Sequence, residues 1–186
     1  MIKDKAKQLS KTTVWLHWIV GLSMITLLAV GIFMKENKVY SLYPIHKSVG
    51  VLIFTLIVLR IGWRIKNGWP QTIGSPAKFE QILARFSHLS LLIGTAVMPI
   101  AGMTMSIAGG RGLSIFDWNL VASNPDPVNA GKVLALNKEL AQFASGVHEY
   151  VGWFLVVVIV LHVAGALKHH VIDKNTVLKR MLGQSV

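Results

Sequence analysis

Five of the seven histidines in this 186-residue chain, His17, His46, His88, His148 and His162, fall within or at the ends of long apolar runs. A polar ring is costly there without a partner, so each is a candidate for an interhelical hydrogen bond or for a ligand role. On a helix, His148 and His162 are separated by about four turns, roughly 21 Å, and face nearly the same way. His46 opens the second run at the depth of His148, and His17 lies about one turn into the first run, at the depth of His162. Two pairs result, one near each end of a bundle. Neutral imidazoles facing each other from two helices form the axial ligand set of a low-spin b-type heme, and two stacked hemes would carry electrons across a bilayer.

A flat macrocycle needs helix faces without bulk beside its ligands. His17, His46 and His148 are followed one turn later by Gly21, Gly50 and Gly152, and His162 by Gly165 and Ala166. His88 shares the depth of His17 and His162 but is followed at that spacing by Leu92. It is therefore expected to bond a neighbouring helix or a heme edge, or to border a quinone site, rather than to ligate iron. Arg60 lies about four turns after His46 on the same face and so reaches the second pair. There it would either neutralise a heme propionate or snorkel beside Arg64.

The elements that must position these residues are read from composition. The chain is 53% apolar and 15% charged, with mean hydropathy +0.54, whereas a water-soluble domain carries about 25% charged residues. Apolar runs at about 13–34, 45–63, 86–108 and 150–167 each approach the ~20 helical residues that cross a hydrocarbon core. The pattern predicts an all-α, antiparallel four-helix transmembrane bundle of up-down topology, one domain spanning 1–186. Period-2 alternation is missing, which argues against a membrane barrel. The first run holds His17 and leads into Met34-Lys35-Glu36-Asn37 without a small-residue cleavage site, so it reads as a span rather than a signal peptide. Trp15, Trp18, Trp63 and Trp153 near span ends read as interfacial anchors.

The net charge of +11 would suggest nucleic acid in a polar protein. Here the basic residues flank apolar runs, and no nucleic-acid partner is expected. Lys3, Lys5, Lys7 and Lys11, then Arg60, Arg64, Lys66, Lys78 and Arg85, and finally Lys168, Lys174, Lys179 and Arg180 share one side. They outnumber Lys35, Lys38, Lys47, Arg111, Lys132 and Lys138 on the other, so both termini are expected in the cytoplasm. The absence of cysteine excludes disulfides, thiolate zinc sites, iron–sulfur clusters and covalently attached c-type heme. The outward connection 109–147 opens with Gly109-Gly110-Arg111-Gly112, which lacks the lysine ending of a phosphate-binding loop. Val133, Leu136, Leu140, Phe143 and Val147 recur at helical spacing and predict an amphipathic helix from Val128 to Val147 leading into the fourth span. The inward connection from Asn67 to Pro76 reads as a loop.

Leu16-His17-Trp18, Ile45-His46-Lys47-Ser48-Val49-Gly50, Phe86-Ser87-His88-Leu89, and the tail from Ala166 to Met181 with its paired His169 and His170 carry a resemblance. The sequence resembles the bacterial cytochrome b561 family over essentially its whole length. That family is related to the di-heme b subunits of nickel–iron hydrogenases and formate dehydrogenases. The resemblance implies a bacterial inner-membrane protein with two b hemes, one held by His17 and His162 on the cytoplasmic side and one by His46 and His148 on the periplasmic side. Some members are superoxide oxidases, which pass electrons from superoxide through both hemes to ubiquinone. The outer cations could steer that anionic radical, although Asp117, Asp126, Glu139 and Glu149 on the same side oppose them. The resemblance places the quinone at the inner side, where His169 could bond a carbonyl or deliver a proton. Three readings compete. The leading one is an electron carrier between a periplasmic donor, superoxide or a protein, and the quinone pool. The others are a cytochrome b anchor relaying electrons from a docked dehydrogenase or hydrogenase, and a cofactor-free transporter using the histidines as a proton path.

Overall fold

A computed structural model describes residues 4, 8–70 and 77–185. The first helix, α1 (Lys11–Glu36), starts where the Ser10 Oγ accepts a hydrogen bond from the Thr13 N–H at 3.3 Å, satisfying a donor that a helix N-terminus leaves open. After a 3-10 turn at Tyr40–Leu42, α2 (Tyr43–Asn67) begins with proline at its second position. It stops at Gly68, whose φ of +72° suits only glycine well and whose N–H bonds the Arg64 carbonyl. The third helix, α3, covers Lys78–Ala108. A two-stranded antiparallel hairpin, β1 (Leu113–Ile115) and β2 (Trp118–Val121), follows it. Then come α4 (Lys138–Val171), capped by the Asn137 side chain accepting from Leu140 N–H, and the short α5 (Val177–Met181).

Each of α1 to α4 is long and apolar enough to cross a membrane. Neighbouring helices run in opposite directions, as their end contacts show. Lys35 near the end of α1 pairs with Glu149 near the start of α4, and His17 near the start of α1 faces His162 near the end of α4. Lys47 early in α2 donates to Ser106 late in α3, while Glu80 early in α3 pairs with Lys168 late in α4. The start of α1 and the end of α5 meet at one end of the bundle, the terminal end, where the Trp18 indole donates to the Met181 carbonyl at 2.7 Å. There Asp4 accepts from Ser10 N–H and Thr13 Oγ1 and pairs with Arg64. Burial works to raise the Asp4 pKa, but the bonds from Ser10 and Thr13, with the Arg64 charge, hold it below the usual carboxylate value. The opposite, hairpin end carries β1 and β2. Between them Val20, Met24 and Leu28 of α1, one turn apart, meet Ile53 and Ile57 of α2 and Leu155 of α4 in a closed core. Gly94 makes room for it, since a Cβ there would lie 2.7 Å from Leu155 Cδ2.

The expected spans lie inside the four helices, but the helices extend further. The third begins at Lys78 rather than Phe86, and the fourth at Lys138 rather than Tyr150. Hydropathy reads the lipid-facing stretch, whereas a helix continues into polar sequence until a cap ends it. The expected helix from Val128 to Val147 is half wrong. Asp126 accepts hydrogen bonds from the Val128 and Asn129 N–H groups, and Gly131 turns with φ +79°. These local bonds, with a bridge between Pro125 and Val133, hold residues up to Asn137 out of the helix. Leu140, Phe143 and Val147 do lie on α4, with Leu140 and Phe143 exposed rather than buried. Trp15 and Trp153 are exposed as anchors should be, whereas Trp18 and Trp63 donate internal hydrogen bonds, to Met181 and to Thr13. Of the predicted inward loop, residues 71–76 lie outside the described residues, as do Lys3, Lys5 and Lys7.

Candidate functional site

The histidines assemble into two groups. At the hairpin end, His46 from α2 and His148 from α4 have ring centroids 6.3 Å apart. His148 Nδ1 lies 2.9 Å from the Met98 carbonyl of α3. Because a carbonyl only accepts, Nδ1 carries the proton and Nε2 keeps a free lone pair, the tautomer a metal-binding imidazole needs. That carbonyl sits beside Pro99, which lacks an N–H and interrupts the ladder of α3. The Nδ1 of His46 is buried with no hydrogen-bond partner, a cost that a native structure rarely leaves without a reason. A cavity lies alongside, lined by Met24, Leu28, Gly50, Ile53, Met98 and both imidazoles. Gly31 and Gly102 set the two rings in place from neighbouring helices: a Cβ at Gly102 would stand 3.0 Å from His148 Cε1, and one at Gly31 3.4 Å from His46 Cε1.

At the terminal end, His17 from α1 and His162 from α4 have centroids 6.2 Å apart. The site is more crowded. His88 from α3 stands 5.2 Å from His162 and 6.4 Å from Trp69, and the Arg60 guanidinium lies 3.4 Å from His17 Nδ1. A guanidinium only donates, so Nδ1 accepts in this contact and the His17 proton sits on Nε2. In the last turn of α4, His169 Nδ1 donates to Asp173 Oδ2 at 2.6 Å, and Asp173 also accepts from Lys168 at 2.9 Å. The Lys168 hydrogen bond above all, with that of His169, holds the Asp173 carboxyl below its ordinary pKa. His169 follows His162 by about two turns on the same helix.

The family model described as prokaryotic cytochrome b561 matches residues 8–184. The chain belongs to this family. It is 33% identical over 174 residues to cytochrome b561 homolog 2 of Escherichia coli K12, covering 91% of this chain and 88% of that protein. It is 27% identical to cytochrome b561 homolog 1 of the same organism, over 93% of this chain and 96% of the other. A protein of Yersinia pestis named "Probable superoxide oxidase CybB" is 25% identical over 95% of this chain and 96% of its own length.

Membership in this cytochrome b561 family makes the chain a membrane b-type cytochrome of electron transfer and implies heme b, and the residues fit such a group. A ring nitrogen binds a metal at about 2 Å and the ring centre lies roughly 1 Å further on, so two imidazoles on opposite sides of one iron have centroids about 6 Å apart. The separations of 6.3 and 6.2 Å meet that requirement, whereas the 5.2 Å between His88 and His162 is too short. Gly21 and Gly50 border open space, as a macrocycle beside the ligands requires. Gly152 does not: the Met98 side chain comes within 3.1 Å of its Cβ position. Sequence reasoning missed Gly31, Gly102, the Met98 carbonyl and Asp173. Only Asp173 carried a local signal, its i+4 spacing from His169; the others act across helices.

Proposed function

We propose that His17 and His162 hold one heme b and His46 and His148 a second, in a protein that moves electrons between a periplasmic donor and membrane ubiquinone. The single observation that carries this reading is the equal spacing of two imidazole pairs at opposite ends of one bundle. The protein is taken to be a single transmembrane unit of the bacterial inner membrane. Its terminal end, rich in Lys and Arg, faces the cytoplasm. Heme b, when bound, supplies a one-electron redox centre near each membrane face.

The residues around each pair divide the remaining work. At the hairpin end Lys47, bonded to Ser106, stands close enough to Arg111 for their charges to interact. Two cations beside His46 favour an anionic donor, and the relative named a superoxide oxidase supports superoxide. Two superoxide anions then each lose one electron and leave as dioxygen, while one quinone gains two electrons and two protons and leaves as quinol. At the terminal end, Arg60, whose guanidinium lies 3.4 Å from His17 Nδ1, would neutralise a heme propionate. With its Nδ1 held by the Asp173 carboxylate, His169 can donate from Nε2 to a quinone carbonyl and pass it a proton in its doubly protonated form. His88, between His162 and Trp69, borders the same quinone site.

Reduced-minus-oxidised spectra and heme-to-protein ratios test the reading. Two b hemes are expected in the wild type, one lost or made high-spin in His46→Ala and in His162→Ala, and none lost in His88→Ala. A heme-free wild type would sink the proposal, and heme loss through His88→Ala alone would replace the terminal-end pair. Superoxide-driven quinone reduction by the loaded wild type then separates this reading from an anchor subunit, which keeps both hemes and lacks that activity.

A further inference from the structure

The connection from α3 to α4 does not rise away from the bundle; its hairpin folds back along α2. The Phe116 N–H donates to Ser48 Oγ at 2.7 Å, and the Ser48 hydroxyl bonds the Pro44 carbonyl at 2.9 Å, with the Ser114 carbonyl at 3.4 Å. Ser48 is almost fully buried by these contacts. They place the hairpin tip level with the first turns of α2, where the apolar span begins and where water gives way to hydrocarbon. Leu113 of β1 faces inward and is buried, yet Phe116, Trp118 and Leu120 are 58%, 76% and 50% exposed. Trp118 and Leu120 share one face of β2, as alternate residues of a strand do. Asn119 looks the other way, toward Ser114 Oγ at 2.8 Å.

Phe116 and Asp117 make the two-residue turn between β1 and β2, and the φ of +51° at Phe116 is the positive φ that the favoured hairpin turns place at their first central residue. The ring is left outside.

We infer that Phe116, Trp118 and Leu120 form a membrane-interface anchor, inserted among the headgroups and upper acyl chains of the leaflet at the hairpin end. The occupant is lipid because the patch continues the lipid-facing surface of α2, whose Ile45 and Leu52 are exposed at the same end. Aromatic side chains are also the residues that the interface favours. The anchor has a consequence for the site beside it. Ser106 Oγ, which accepts from Lys47, donates to the Gly112 carbonyl just before β1. Lipid holding the hairpin therefore holds the segment that fixes Lys47 next to His46.

The chain lacks cysteine, so Phe116→Cys, Trp118→Cys and the loop control Val128→Cys each give a unique site for a nitroxide label. With the full chain in phosphatidylcholine nanodiscs, labels at 116 and 118 are expected to collide several-fold more with oxygen, which partitions into lipid, than with a water-soluble nickel complex. The label at 128 should show the reverse. Nickel accessibility at 118 equal to that at 128 would overturn the proposal. So would spin–spin broadening that disappears on dilution with unlabelled protein, which would mean a second copy covers the patch. If the cysteine variants fail to fold, quenching by brominated lipid, compared between wild type and Trp118→Phe, decides the same question: the wild-type excess is expected, and no difference would overturn the anchor.

Discussion

The two histidine pairs are spaced alike but surrounded differently. The hairpin-end pair sits beside a cavity, with His148 already in the ligating tautomer through a backbone carbonyl and with glycines of two neighbouring helices touching the rings. The terminal-end pair is pressed by a third imidazole and a guanidinium, and its His17 holds the opposite tautomer. One pair is framed by a backbone carbonyl and by glycines; the other has a cation and a further imidazole as neighbours. The difference teaches that equal ring spacing does not imply equal chemistry, since neighbouring bonds and charges tune a histidine site as much as its geometry does.

The largest effect is expected where packing sets the geometry. Gly102→Leu drives a side chain into the His148 ring, already 3.0 Å from the Cβ position. With a heme at each pair, as proposed, the hairpin-end heme should be lost while its counterpart stays, leaving half the pigment per chain in a heme assay. Equal loss from both sites would show that the two ends are not independent. A smaller effect belongs to charge. Arg60→Met removes a cation beside the terminal-end pair, which favours the oxidised iron; at an effective dielectric of 20 over about 10 Å the change is roughly 1.7 kcal/mol, or about 70 mV downward. Redox titration should find only that heme shifted, and an unchanged potential would remove Arg60 from the site.

The smallest effect tests the closure of the terminal end. Asp4, bonded to Ser10, Thr13 and Arg64, titrates below the usual 3.8. A carboxylate whose pKa is lowered by folding stabilises the protein above its unfolded value, and that contribution fades as pH falls through the folded one. Asp4→Asn should therefore cost about 1 kcal/mol near neutral pH and progressively less below about pH 4, read by thermal unfolding in detergent. A pH-independent deficit would mean that the hydrogen bonds, not the charge, matter there.

The four helices and the two-ended arrangement of His17, His46, His148 and His162 were legible because lipid demands long apolar runs and helical rise converts sequence separation into depth. Arg60 and His88 were likewise placed at the correct depth by the same arithmetic. Tautomers were not legible, because the Met98 carbonyl and the Arg60 guanidinium reach their histidines from other helices. Nor was the hairpin. Asp126 and Gly131 act through local bonds that override the helical spacing of Val133 and Leu136, and the strand pairing of β1 with β2 spans too few residues to leave a periodic trace.

One continuous helix, α4, carries a member of each pair, His148 and His162. The distance between the two sites is therefore written in the residue count of that helix rather than in any loop or interface. A single residue inserted between them would swing one imidazole by about 100° and strand it on the wrong face, while seven would restore the facing and add about 10 Å. The segment is a molecular ruler, and descent can lengthen the connections around it far more freely than it can change the number of residues between its two marks.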